Sequence, residues 1–202
     1  MAQISNTLGA SGGASVGASG LIDRPAQVRA LASPARQEIV DALEAAWPCT
    51  IAELAGLVGR PADALYFHVK RLIKVGLIVE TAARERGVGI AAKYDVVARP
   101  LRLSYGPGIA RRDIVKVVAA AVRQSAREYE AAARDPLVAG DGPDRLVRGG
   151  RAKGWLTPVE TRRAMKLLDD LAALMRAGKP RRGARPMAFG YLLAPCEVRE
   201  RA

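Results

Sequence analysis

The segment TIAELAGLVGRPADALYFHVKRLIKVGLIVE, residues 50–80, spells out two short helices with a sharp turn between them. Thr50 and Glu53 have capping-box spacing, in which a hydroxyl and a carboxylate satisfy free N–H groups of a first helical turn. Ile51, Leu54, Ala55 and Val58 recur at helical spacing, and Gly59 is placed to end that helix. Pro61 opens the next helix, with Asp63 at the positive end of its dipole. Leu65, Val69 and Leu72 form its buried stripe, and Gly76 closes it. Its opposite face carries Ala62, Asp63, Tyr66, Phe67, Lys70 and Lys74.

Working outward, the upstream run LASPARQEIVDAL, residues 31–43, places Ser33 at an N-cap and Pro34 at the first helical position. Ile39, Val40, Leu43 and Trp47 then follow at helical spacing until Pro48. Asp23 can cap a still earlier helix holding Val28 and Leu31. Downstream the period changes: Leu77 to Ala83 is extended, residues 84–89 make a Gly-containing loop, and Ile90 to Val97 alternates. Ile90, Ala92, Tyr94 and Val96 share one face of this β-hairpin. Three helices followed by a two-stranded hairpin have the layout of a winged helix-turn-helix.

These residues resemble the ArsR-type winged-helix transcriptional regulators over about residues 25–100. The similarity is most specific from Tyr66 through His68 and Leu72 to Gly76-Leu77-Ile78. It implies a homodimer that binds a pseudo-palindromic operator on double-stranded DNA, usually as a repressor released by a signal. It does not carry over metal sensing. The helix Ile51-Ala52-Glu53-Leu54 has no thiol, and the single histidine, His68, lies in the recognition helix. Neither a metal nor a cofactor is expected.

The rest of the chain divides around this unit. Residues 1–22 read as a disordered tail rich in Gly, Ser and Ala, poor as a signal peptide. Residues 23–100 form the DNA-binding domain, and Pro100, Gly106, Pro107 and Gly108 mark a linker. Residues 109–202 are expected to form a dimerisation region with room for an effector. Ile109 to Arg134 is a long amphipathic helix whose face runs through Ile114, Val117, Val118, Ala121, Val122, Ser125 and Tyr129. No partner for that face is evident in the first domain, so its two-fold mate is the expected one. A second capping box at Thr157 and Glu160 starts a helix carrying Met165, Leu168, Leu171, Ala172 and Met175. Short strands are expected through Ala152, Trp155 and Leu156 and through Met187, Phe189, Tyr191 and Leu193. The fold class is thus mainly α with small β elements: a winged helix-turn-helix, then a helical extension with one or two short strands.

Charge agrees with a polyanionic partner. Lys and Arg outnumber Asp and Glu by 32 to 20, a net charge of +12. From residue 103 onward the count is 20 to 11, so much of the surplus lies outside the winged helix. The loop Lys179-Pro180-Arg181-Arg182 tracks flanking phosphates on one reading and serves solubility on the other, which is slightly preferred. No uninterrupted apolar run is long enough to span a membrane. Two cysteines, Cys49 and Cys196, fit a cytoplasmic protein and are read as inert. There is no GxSxG, P-loop or CxxC motif and no histidine beside a nucleophile, so no enzyme is indicated.

The DNA-contact candidates each have a plainer alternative. Tyr66 and Phe67 would meet thymine methyls or sugars in the major groove, although Phe67 could tuck under the hairpin or the first helix. Lys70, Lys74 and Lys93 would meet phosphates, or else remain solvated. Arg84 and Arg86 flank the hairpin tip, where they would enter a narrow minor groove or merely solubilise the loop. Thr50 would bind a phosphate at a helix N-terminus, or simply cap it. Arg36 is either structural or phosphate-facing. His68 reads as a half-buried histidine hydrogen-bonded inside the domain. Trp155, Tyr129, Phe189 and Tyr191 read as core or dimer packing before an effector pocket. A nonspecific architectural DNA binder and an RNA- or protein-interaction module are the competing functions.

Overall fold

The computed structural model of the protein describes residues 20–85 and 89–196, and the side chains of all of these except 82–91. The expected tail therefore lies outside the described residues up to residue 19, and its last part is corrected. Leu21–Ile22 form strand β1, paired in parallel with β4 at Arg102–Leu103. Ile22 is buried in the core. Two-residue strands carry no periodic signal, so composition alone misplaces them.

Helix α1 spans Pro25–Leu31, with Arg24 rather than Asp23 at its N-cap. The Gln27 side chain folds back to accept from the Arg24 backbone N–H at 3.3 Å, which replaces the expected carboxylate cap. Helix α2 spans Pro34–Ala45. Ser33 occupies its N-cap position but makes no side-chain cap bond. Ile39, Val40 and Leu43 are buried as their spacing predicts, whereas Trp47 lies past the helix end and is 55 % exposed.

Helix α3 spans Ile51–Val58 and α4 spans Ala62–Lys74. Gly59 adopts φ +63°, the left-handed conformation that lets its N–H and that of Arg60 both reach the Ala55 carbonyl. This reverses the chain within three residues, and Pro61 then launches α4. Leu54, Leu65, Val69 and Leu72 are fully buried and lock the two helices together over α2. The far end of α4 is fixed from α1: the Val75 carbonyl accepts from Arg24 at 2.9 Å and from the buried Gln27 amide at 3.2 Å. A helix end that would otherwise lack partners is thereby satisfied.

Strands β2 (Ile78–Glu85) and β3 (Gly89–Val96) form the antiparallel hairpin, in register from Ile78↔Val96 to Glu85↔Gly89. Tyr94 and Val96 face the core as predicted, and Tyr94 also bridges to Cys49, each backbone N–H donating to the other's carbonyl. Ala92 shares that face but is exposed.

Helix α5 spans Arg111–Arg134. The expectation that its apolar face lacks a partner in the first domain is corrected. Asp113, Ile114, Val117 and Ala120 are buried against α1 and α2, and the Gln37 amide donates to both Leu31 O at 2.7 Å and Val117 O at 2.9 Å. The hydrophobic core therefore includes Ile109, Ile114 and Val117. Beyond Ala120 the helix leaves the core. Helix α6 spans Pro158–Ala177 and buries no residue completely. Its foot rests on the end of α2, where Lys179 Nζ donates to Glu44 O at 3.4 Å.

The strands expected at 152–156 and 187–193 do not form. Alternation makes a strand only when another edge supplies hydrogen bonds, and among the described residues none lies beside either segment. Gly149, Gly150 and Gly154 further loosen the first. Trp155, Tyr129, Phe189 and Tyr191 are all exposed within the chain, so core packing is corrected for these four. The described fold is mainly α, a winged helix-turn-helix followed by a helical region.

Candidate nucleic-acid interface

The geometry of α4 separates its residues into two faces. Leu65, Val69 and Leu72 point into the core, while Asp63, Tyr66, Phe67, Lys70 and Lys74 are exposed along the other side. At 1.5 Å per residue, Asp63 to Lys74 covers about 16 Å of helix, a rod that a major groove about 12 Å wide admits. Ala62 is half-buried and packs partly against the core, so it offers little to a ligand. Phe67 is 71 % exposed, which rules out the alternative of burial under the hairpin or α1. Its ring instead meets the edge of His68 at 5.8 Å. Tyr66 is 49 % exposed and stands near the Tyr94 hydroxyl, at the junction of α4 and the hairpin.

Two basic residues escaped the sequence reading. Arg71 is exposed on α4, on the flank of Phe67 and Lys70, and lies close enough to Arg36 for the two charges to repel. Its signal was its position one turn after Phe67. Arg60, in the turn before α4, is held by Glu38 of α2 at 2.8 Å, which ties the turn to the core. Arg36 is structural at its Nε, which donates to the Ala30 carbonyl. His68 is half-buried as expected, but no hydrogen-bond partner reaches its Nδ1 among the described residues. Burial, then Arg36 and Arg60, push its pKa below the ordinary histidine value and so favour the neutral ring.

The hairpin supplies the second part of the surface. Lys93 is half-buried opposite Thr81, whose hydroxyl donates to the Lys93 carbonyl at 3.3 Å. Its ammonium lies near Glu53, at the N-terminus of α3. Arg84 belongs to β2, its backbone paired with Ile90, so the strand runs two residues past the loop boundary set by alternation. The pairing continues to Glu85↔Gly89, which accounts for the difference. Arg86 falls outside the described residues.

At Thr50 the geometry serves the cap. The hydroxyl accepts from the Glu53 N–H at 3.2 Å and donates to the Glu53 carboxylate at 3.0 Å, while that carboxylate also accepts from the Thr50 N–H at 2.7 Å. A carboxylate already sits where a phosphate would, and the hydroxyl hydrogen is in use. The backbone bond and then the hydroxyl bond from Thr50 hold the Glu53 pKa below its ordinary value. A group with a lowered folded-state pKa stabilises the fold above its unfolded pKa and loses that contribution as pH falls through the folded one. Thr50→Ala is therefore expected to cost about 1 kcal/mol at neutral pH. The deficit should shrink in acid, as read from urea midpoints across a pH series.

Burial, reinforced by Glu53 and Asp95, raises the Cys49 thiol pKa, and its Sγ donates to Trp47 O at 2.9 Å. The thiol is thus held away from the reactive thiolate. Among the described residues no three His, Cys, Asp or Glu side chains gather closely enough to hold a metal ion. No described helix is long and apolar enough to cross a membrane.

A buried α3–turn–α4 pair, an exposed second helix and an adjoining hairpin define a helix-turn-helix protein, and this class points to DNA binding. A family model described as a helix-turn-helix domain matches residues 31–81, which run from the end of α1 to the start of the hairpin. This domain is found in ArsR-type regulators and typically carries no catalytic machinery. No curated protein matches the chain.

Proposed function

We propose that the protein is a sequence-specific transcriptional regulator of the ArsR-like kind, a cytoplasmic repressor that acts as a homodimer on a pseudo-palindromic operator. One observation carries the reading. A single helix face exposes two aromatic rings beside Lys70, Arg71 and Lys74, while the opposite face is rigidly buried. Tyr66 and Phe67 are the base-reading residues and Asp63 lies at the entering end. Lys70, Arg71 and Lys74 hold the phosphates, Lys93 does so from the hairpin, and Arg84 and Arg86 enter the minor groove. The homodimer is supported by apolar surface that one chain leaves uncovered, including Leu167, Leu171 and Leu174 of α6.

The test compares a duplex from the protein's own upstream region with a scrambled duplex and with RNA. A regulator should prefer its own site by at least ~10³-fold at physiological salt. Steep salt dependence without sequence preference would identify an architectural binder instead, and preference for RNA would identify the third function. Tyr66→Ala should change discrimination at particular base pairs by about 1–3 kcal/mol while leaving affinity for random duplex nearly unchanged. Light scattering of the protein alone and on its duplex reads the stoichiometry, and one copy per duplex would overturn the dimer.

A further inference from the structure

Where α5 leaves the core, its last turns form one wall of a cavity of about 550 Å³. The volume falls within the range of about 300–1,000 Å³ typical of small-molecule sites. Tyr129, Ala132, Val138 and Leu146 give it an apolar floor, and Arg148 and Arg185 stand at its edge. Two glycines bring the neighbouring segments against side chains of α5. A Cβ at Gly190 would clash with Ser125 Oγ, and one at Gly149 would lie 3.3 Å from Tyr129 Cζ. Both segments therefore rest on side chains of α5, and a side chain at Gly190 would force Ser125 to shift. The loop between them and the helix is closed on itself by Leu146 N–H donating to Ala139 O at 2.8 Å.

Among the described residues neither Arg148 nor Arg185 pairs with a carboxylate. The one acid in the lining, Glu128, instead accepts from Gln124 Nε2 at 2.9 Å. A smaller cavity of about 310 Å³ between α6 and residues 99–100 makes the contrast. There Arg99 is bound to Asp95 and to Leu43 O, Lys179 to Glu44 O, and the third cation, Arg176, lies near the Glu44 carboxylate, so the cations of that cavity serve the end of α2.

We propose that the larger cavity binds an organic anion with an apolar, ring-sized body, its carboxylate or sulfonate held by Arg148 and Arg185. The body lies over the Tyr129 ring, and Ser125, Tyr129 and Glu128 are placed to take polar hydrogens on the ligand. Guanidinium groups suit this role because they bind planar oxyanions through two parallel N–H bonds. The inference goes beyond DNA binding and does not rest on it.

The test uses the full chain and two fluorescent probes of the same shape. 1-Anilinonaphthalene-8-sulfonate carries the anion, and N-phenyl-1-naphthylamine lacks it. The sulfonate is expected to titrate to one site per chain. The Arg148→Gln/Arg185→Gln double variant should weaken it at least about tenfold while changing the uncharged probe less than about twofold. Ala132→Trp, which fills the floor, should remove both. Equal affinity of the double variant and the native chain for the sulfonate would overturn the proposal. So would binding that falls as protein concentration rises, which would mean that a second copy covers the groove. The arginine pair is exposed, so that variant remains decisive should Ala132→Trp fail to fold. No arm of the experiment involves nucleic acid, so its failure is separate from failure of the DNA reading.

Discussion

A Lys70→Ala/Arg71→Ala double variant is expected to bind duplex DNA roughly 60-fold more weakly at 0.1 M salt, with a salt slope flatter by about 1.8. The argument is one of counterions. Each phosphate contact releases condensed cations and contributes about 0.9 to the slope of log affinity against log salt, or about eightfold at 0.1 M relative to 1 M. Both side chains are exposed on the outer face of α4, and neither forms an ion pair among the described residues, so the fold should not suffer. The loss should be the same on the specific and the scrambled duplex, unlike that of Tyr66→Ala. Titrations at several salt concentrations check it, and an unchanged slope would remove both residues from the interface.

Leu72→Ala should act through the scaffold instead. Leu72 is fully buried where α4 lies over α2, and its removal is expected to cost about 2–5 kcal/mol through lost transfer energy and the cavity left behind. In a domain of ordinary stability that is a large share of the total. A urea or thermal melt measures it directly. Because the outer face of α4 is untouched, DNA affinity measured on the remaining folded protein should be nearly native. A variant that melts like the native chain would mean that α4 is held elsewhere than at this stripe.

The contrast between these two variants shows what a sequence makes legible. Apolar period and caps are local, so α3, α4 and the helix after Thr157 could be read directly: the hydroxyl–carboxylate pairs at Thr50/Glu53 and Thr157/Glu160 both form. The exposed face of α4 followed from the buried one, apart from Arg71. What failed depended on distant partners. The face of α5 was read correctly through Ile114 and Val117, but its partner is α1 and α2, brought there by Gln37 across the fold. The alternating residues near Phe189 and Tyr191 form no strand; the two rings stack at 5.1 Å instead. Leu21 and Ile22 went unread because their pairing with Arg102 and Leu103 is set by chain closure.

The two hydrogen bonds from Gln37 also have a mechanical consequence. One holds Leu31 of α1 and the other holds Val117 of α5, so together they tie α1 to one end of an unbroken rod whose other end, from Ala120 to Arg134, runs on for about 21 Å as a lever. A swing of about 10° about that anchor displaces the tip by roughly 4 Å. Whatever grips the tip therefore exerts its torque on α1 and α2, the bed on which the DNA-facing helix lies.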